Sequence, residues 1–322
     1  MTDRRRVVIT GMGVTSALGD TPGALYDALR AGRSAVRAMP EWSGEFAGIP
    51  LAAPVAVDEE RVRAIPRKFR RAMGDAAVYA ALAALEARAM AGLDDALLAS
   101  GRVGCAVSST MGSSRSIVEA TEILLAGRRE EMPAMQFFKC VSHSSALNVG
   151  NLLGLTGVML SPCSACASGA QAIGAAYEQI QMGRQEVMFA GGSDEVTPAA
   201  AGSFALLSAL AEGGGAFAPE AASRPFDARR SGLVCGAGAG IVVLEEYEHA
   251  RRRGAEPLAE MIGYATNANG VHVSQSDALS IERCIRLALA DAGIVPAAVD
   301  YISAHATATL AGDGEEAAAL RT

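Results

Sequence analysis

Ser161-Pro-Cys-Ser-Ala-Cys-Ala-Ser-Gly169 runs without a break into Ala170-Gln-Ala-Ile-Gly-Ala-Ala-Tyr-Glu-Gln-Ile-Gln-Met-Gly-Arg184. The first part is built of small, tight-turning residues and carries two thiols. In the second, Ile173, Ala176, Tyr177 and Ile180 recur at spacings of three and four, the apolar stripe of a helix. Cys166 therefore stands at a turn just before a helix or in its first residues. Unpaired backbone N–H groups and the helix dipole favour an anion there, and such a placement lowers a thiol's pKa from about 8.5 towards neutrality. Ala165, Ala167, Ser168 and Gly169 leave open space around the sulfur, as a substrate carbonyl requires. These residues alone leave two readings: a catalytic nucleophile, or a buried small hydrophobe, the usual fate of a lone cysteine. Cys163-Ser-Ala-Cys166 also has Cys-x-x-Cys spacing. A thioredoxin-like pair, however, belongs to a much smaller domain, and a zinc site needs a second ligand pair.

Working outward, residues 158–161 read as the strand entering the turn and 185–192 as a buried strand ending in Gly191-Gly192. Residues 7–10 read as a first buried strand and 11–19 as the loop after it. That loop echoes a dinucleotide-binding turn, but its third glycine falls late and no acidic ribose partner follows. Helices are expected at 22–31, from the basic run 61–71 through about 90, at 115–127 and from 137 onward. Residues 102–108 read as a further strand and 32–54 as an irregular surface segment holding Trp42. Past the cysteine helix come an apolar stretch at 204–210, a turn at 223–227, a strand at 239–245 and a basic helical turn at 249–255. At 258 the pattern restarts, with a strand at 258–264, a helix at 279–293 and a strand at 299–303. Repeated strand–loop–helix–strand implies a duplicated α/β protein with helices on both faces of mixed or parallel sheets. The expected division is 1–255 for the half carrying the cysteine and 256–322 for the start of a second. Residues 314–321 read as the middle of a helix, so the second half is expected to be incomplete.

The chain has 322 residues, half of them hydrophobic, with 35 glycines and a net charge of −7. That balance argues against a protein devoted to nucleic acid, although a local basic cluster can still receive an acidic partner. Six cysteines in a chain this long do not make a disulfide framework, and most are expected to be buried. No run reaches the roughly 18 apolar residues of a membrane span. The N-terminal apolar stretch is too short and too interrupted for a signal peptide, so the expectation is a cytoplasmic protein.

The second reactive candidate is His305, in Ser303-Ala-His-Ala-Thr-Ala-Thr-Leu-Ala-Gly-Asp313-Gly-Glu-Glu316. It follows an apolar segment and is flanked by small residues and two threonines. Asp313 and Glu316 open the next helix, where carboxylates complement the dipole. A lone histidine at a strand end is more often structural, but with an exposed cysteine at another strand end it makes an acid/base pair. A papain-like protease needs its cysteine near the mature N-terminus with an aromatic after the turn, and neither is present.

Seven blocks in order resemble the elongating β-ketoacyl-acyl carrier protein synthases, the 3-oxoacyl synthase II-like branch of the thiolase superfamily. They are Arg5-Val-Val-Ile-Thr-Gly-Met-Gly-Val-Thr-Ser16, Ala165-Cys-Ala-Ser-Gly169, Ala190-Gly-Gly192, Ser223-Arg-Pro-Phe-Asp227 with Arg230 and Gly232, Gly236-Ala-Gly-Ala-Gly240, Leu244-Glu-Glu246, and Ala304-His-Ala-Thr-Ala-Thr309 with Gly312-Asp313. Together they cover essentially the whole chain. Around Lys139-Cys-Val-Ser-His143 and Ser161–Cys166 the sequence is more similar to ketosynthases of type II polyene or aryl-polyene pathways.

The resemblance implies a thiolase-like duplicated βαβαβ fold, layered α-β-α-β-α, and a decarboxylative Claisen condensation on the way to fatty acids or polyketides. It makes Cys166 the thiol that accepts the acyl chain. It makes His305 one of two histidines that promote loss of CO₂ from a malonyl extender. Thr307 and Thr309 would hydrogen-bond the phosphopantetheine arm, and Met111 and Phe204 would line the acyl pocket. Asp313 and Glu316 would support the histidine loop, and Arg67, Lys68, Arg70 and Arg71 would receive the acidic acyl carrier protein. It implies no metal and no cofactor beyond that carrier's phosphopantetheine. It also implies a dimer, with an identical subunit or a chain-length-factor-like one. The family's second histidine, in a Gly-His pair, and its lysine come after position 322, which predicts poor activity for this stretch alone. Ala306, Ser231 and Ala237 stand where the family has Gly, Asp and an acidic residue. A chain-length-factor-like or truncated partner that only dimerises is the alternative, although chain-length factors usually lack the cysteine.

Overall fold

Val7–Ser16 forms one ten-residue strand, β1, running straight through the glycines that the sequence reading assigns to a loop. Packing is the reason. Helix Asp75–Ala91 crosses β1, and a Cβ on Gly11 or Gly13 would run into the carbonyl oxygens of Ala87 and Ala83. Glycine on the strand and alanine on the helix let the two backbones meet. This glycine stretch seats a helix, so it offers no turn for a dinucleotide.

The computed structural model describes residues 4–42, 50–211 and 217–322; of the expected irregular segment 32–54, residues 43–49 lie outside these. Strands after β1 are β2 (Arg37–Ala38), β3 (Leu51–Ala53), β4 (Val103–Ser108), β5 (Met159–Leu160), β6 (Val187–Asp194), β7 (Cys235–Gly236), β8 (Gly238–Glu246) and β9 (Ala259–Met261). The described chain forms two compact units. One comprises Met1–Arg33, Pro54–Ala199 and Gly236–Met261; the other comprises Ser34–Ala53, Ala200–Cys235 and Ile262–Thr322.

The first unit is built on a six-stranded sheet in the order β5-β4-β6-β8-β1-β9. β4 runs parallel to β5 and β6, whereas β6–β8, β8–β1 and β1–β9 are antiparallel, so the sheet is mixed. Alternate residues of a strand face opposite sides. Val103, Cys105, Val107, Val187, Phe189, Ala239, Ile241 and Val243 share one side, in one buried cluster with Ala80, Ala83, Ala84 and Ala87 of helix Asp75–Ala91 and Ala146 and Val149 of helix Ser144–Leu153. Helix Ser168–Gln181, which carries the cysteine turn at its head, packs on β4 and β6. There Gly169 lies against Gly192, so close that a Cβ on Gly192 would stand 3.1 Å from the Gly169 Cα.

A buried carboxylate clasps β1, β8 and the basic turn that follows. Glu245, with no side-chain exposure, accepts from Thr10 Oγ1 (2.8 Å), from Arg253 Nε and Nη2 (2.6 Å each), and lies 2.6 Å from His249 Nδ1. Burial alone would raise its pKa, but the Arg253, His249 and Thr10 hydrogen bonds outweigh that and hold it at about 2.

In the second unit β2, β3 and β7 form a small sheet over Val36, Leu51, Ala211 and Ala222. Helices Ala278–Ala292 and Leu310–Leu320 pack together, and the first is capped by the Asp277 carboxylate on the Ser280 N–H and ended by Gly293 at φ +69.

The strand expected at 258–264 forms as the shorter β9, and it pairs with the open edge of β1, Ile9 opposite Ala259. A further expectation fails. Residues 299–303 form no strand; a strand exists only through a ladder partner, and the described residues offer none.

Candidate active site

The cysteine turn closes on itself. The Ala167 N–H donates to Ser164 O (3.1 Å), the Ser168 N–H to Ala165 O (3.0 Å), and the Ser164 N–H to Ser168 Oγ (2.8 Å). These bonds force Ala165 to φ +49, a left-handed conformation that costs an L-residue roughly 1–2 kcal/mol. Cys166 follows immediately and is exposed, as are Cys163 and Ala167. The sharp turn between β5 and the helix thus presents the thiol outward. Cys166 is therefore not among the buried residues of the described chain.

The other cysteines differ from what composition suggests. Only Cys105 is fully buried, and desolvation pushes its thiol up to about 12. Cys140 and Cys284 are half-buried, and desolvation raises their pKa values as well. Cys235 is half-buried, and Cys163 is exposed, with its Sγ 3.7 Å from Ser109 O.

A second loop, after β4, supports the cysteine turn. Asp194, at the end of β6, accepts from Ser109 Oγ (2.9 Å), from the Thr110 N–H (2.8 Å) and from Thr110 Oγ1 (3.1 Å). Thr110 Oγ1 also lies 3.3 Å from the Ala165 carbonyl oxygen. Met111 comes next, with its side chain partly exposed. Glu195, nine-tenths buried, accepts from Ser113 Oγ (3.0 Å), Ser114 Oγ (3.2 Å) and the Arg115 N–H (2.7 Å), capping helix Ser114–Leu125. Sequence reasoning misses Ser109, Thr110, Asp194 and Glu195, because their partners lie about eighty residues away and no local pattern marks them.

The basic run breaks into helices Glu59–Ala64 and Arg67–Arg70 before the long helix begins. Arg61 pairs with Asp20 and Arg63 with Glu59. Among the described residues no ion pair takes Arg67, Lys68, Arg70 or Arg71. Arg67, Lys68 and Arg71 are exposed.

In the second unit the histidine turn is built by two carboxylates. Glu316 takes the His305 N–H on one oxygen (2.7 Å) and the Ala306 N–H on the other (2.8 Å). Asp313, 1% exposed, takes the Ala308 N–H (3.0 Å) and the Phe226 N–H (2.6 Å), and Arg230 Nε stands 3.4 Å from it. The arginine also donates to the carbonyls of Thr309 and Leu310. These bonds hold Ala306 at φ +48 and Ala308 at φ +63, and they leave the His305 side chain exposed. Thr307 and Thr309 Oγ1 atoms lie 2.9 Å apart, and Thr309 caps the following helix through the Gly312 N–H (3.2 Å). Phe204, in helix Pro198–Leu206, is half-buried. Acidic residues at 313 and 316 share one helix face by their spacing of three, which is how one helix supports the whole turn.

Comparison with known proteins agrees with this architecture. Residues 4–250 match the Beta-ketoacyl synthase N-terminal domain and residues 258–322 its C-terminal domain. The chain is 34% identical to 3-oxoacyl-[acyl-carrier-protein] synthase 1 of Haemophilus influenzae over 318 residues, 98% of this chain and 77% of that protein. It superposes on a beta-ketoacyl synthase from Burkholderia phymatum with a TM-score of 0.92 and 41% identity, covering 98% of this chain and 77% of the other. It also superposes, at a TM-score of 0.86, 31% identity and the same coverage, on the AntDE:AntF complex, a type II polyketide acyl-carrier protein with its ketosynthase bound to the hexaketide. The fold, the two matched domains and an alignment that spans 98% of the chain at 34% identity place this chain in the beta-ketoacyl synthase family.

Proposed function

We propose that the chain extends carrier-bound acyl chains by decarboxylative condensation, in fatty-acid or polyketide elongation, with acyl carrier protein delivering both substrates. In the first half-reaction the Cys166 thiol gives up its proton, its sulfur attacks the acyl thioester, and the carrier's sulfur leaves and takes up that proton as a thiol. In the second, a malonyl thioester loses CO₂, its enolate carbon attacks the acyl carbonyl, and the Cys166 sulfur departs as the 3-oxoacyl product forms. A neutral His305 donates Nε2–H to the extender's thioester oxygen as the enolate develops. The Cys166 N–H stabilises the oxyanion of each tetrahedral intermediate; one such donor is typically worth about 3 kcal/mol.

In this reading Thr307 and Thr309 hold the phosphopantetheine arm, Met111 and Phe204 line the acyl pocket, and Asp313 and Glu316 keep the His305 turn in shape. Arg67, Lys68, Arg70 and Arg71 dock the acidic carrier, and the division at 255/256 separates the two halves of the fold. The functional enzyme is a dimer, of identical or paired subunits.

The observation that carries the proposal is the exposed Cys166 directly behind a strained Ala165 at the head of a helix. Incubation with acyl-carrier protein should add one acyl mass to the chain, mapped by peptide analysis to Cys166 and absent in Cys166→Ala. An acyl group on another residue, or none on the wild type, rejects the assignment.

A further inference from the structure

The Ala165–Cys166 peptide has two ends with different tasks. Its oxygen accepts from the Ser168 N–H (3.0 Å) and from Thr110 Oγ1 (3.3 Å). Its N–H belongs to Cys166. A trans peptide is planar, so its C=O and N–H point in opposite directions, and there are no cis bonds among the described residues. Whatever fixes the oxygen therefore also aims the nitrogen. Rotation of this peptide plane is a real alternative, because Ala165 at φ +49 is already in a conformation that an L-residue leaves easily.

The clamp on the oxygen is anchored from across the sheet. Thr110 follows the end of β4, and Asp194 ends the neighbouring β6, where the two strands are in parallel register through Ser108 and Gly192. The Asp194 carboxylate takes the Thr110 N–H (2.8 Å), Thr110 Oγ1 (3.1 Å) and Ser109 Oγ (2.9 Å). The threonine hydroxyl, with one proton between two acceptors, bridges the carboxylate and the Ala165 oxygen.

We infer that Thr110, anchored by Asp194, is a positioning residue that locks the Ala165–Cys166 peptide so that the Cys166 N–H serves as an oxyanion donor. The inference rests on the reading of Cys166 as the acyl-accepting nucleophile. It separates two reactions of one sulfur. Acylation by a thioester passes through a tetrahedral oxyanion and needs that N–H. Alkylation by iodoacetamide is a direct displacement in which Cys166 sulfur replaces iodide, and no oxyanion forms.

The test measures both rates at Cys166 in the full chain, by intact mass and peptide mapping, with octanoyl-pantetheine and with iodoacetamide. Thr110→Val removes the hydroxyl with little change of shape, Thr110→Ala repeats the deletion with a smaller side chain, and Thr110→Ser keeps the hydroxyl. In both deletions acylation should slow about fivefold, the worth of one neutral hydrogen bond, while alkylation keeps its wild-type rate. Thr110→Ser should restore acylation. Unchanged acylation in the deletions, an equal fall in both reactions, or no restoration by serine overturns the inference. A wild type that never takes the acyl group at Cys166 instead rejects the nucleophile reading underneath it.

Discussion

Asp313 shows how much one buried carboxylate can hold. Its two oxygens take the backbone N–H groups of Phe226 and Ala308 and face the Arg230 guanidinium, with almost no solvent contact. Asp313→Ala takes away the carboxylate facing Arg230 and leaves the buried Ala308 N–H and the part-buried Phe226 N–H without their acceptor, which is expected to cost about 3 kcal/mol. A lower urea midpoint at unchanged slope would register it. Asp313→Asn, which keeps one acceptor oxygen, should lose less. The residue's place in the first turn of a helix marks it as a support in the sequence. Its partners at 226 and 230 are not legible there, because only folding brings them to it.

At the level of elements, glycine has opposite meanings in two places. On β1, Gly13 meets the Ala83 carbonyl, so Gly13→Ala must push helix Asp75–Ala91 away and should destabilise by about 1–3 kcal/mol. In helix Pro22–Arg30, nothing lies within 4 Å of a Cβ on Gly23, so Gly23→Ala should stabilise by about 0.5–1 kcal/mol. Thermal melts of the two variants should move in opposite directions.

The Glu245 clasp joins three elements and makes stability depend on acid. Its folded pKa, about 2, lies below the ordinary 4.5. The stabilisation is therefore complete above about pH 4.5 and is lost as pH falls towards 2. Its ceiling is on the order of 3 kcal/mol. Urea titrations across that window should show a decline that Glu245→Gln flattens.

Across the whole molecule the charge is −7, yet the surface at 67–71 is locally basic and, among the described residues, carries no ion pair. If it receives an acidic carrier, Lys68→Glu with Arg71→Glu should raise KM for carrier-bound acyl groups about tenfold. KM for acyl-pantetheine should not change. The carrier-dependent difference should shrink with added salt. Equal KM changes for both substrates would reject docking at this face. No helix among the described residues is long and apolar enough to cross a membrane.

What the sequence by itself determines follows from local chemistry. Apolar periodicity and end signals place helices Ser168–Gln181 and Ala278–Ala292 and strands β4, β6 and β8 within a few residues. The ordered motifs identify the family and nominate Cys166 and His305. Tertiary structure decides what depends on a distant neighbour. Gly11 and Gly13 are strand because an alanine-rich helix needs their missing side chains. Residues 258–261 join β1 because its edge is open, and 299–303 stay outside any ladder for want of a partner. The cysteine turn is where the two meet. Its composition predicts a tight bend, whereas only the fold brings Thr110, 55 residues away, to within 3.3 Å of the Ala165 carbonyl oxygen and Asp194 to Thr110.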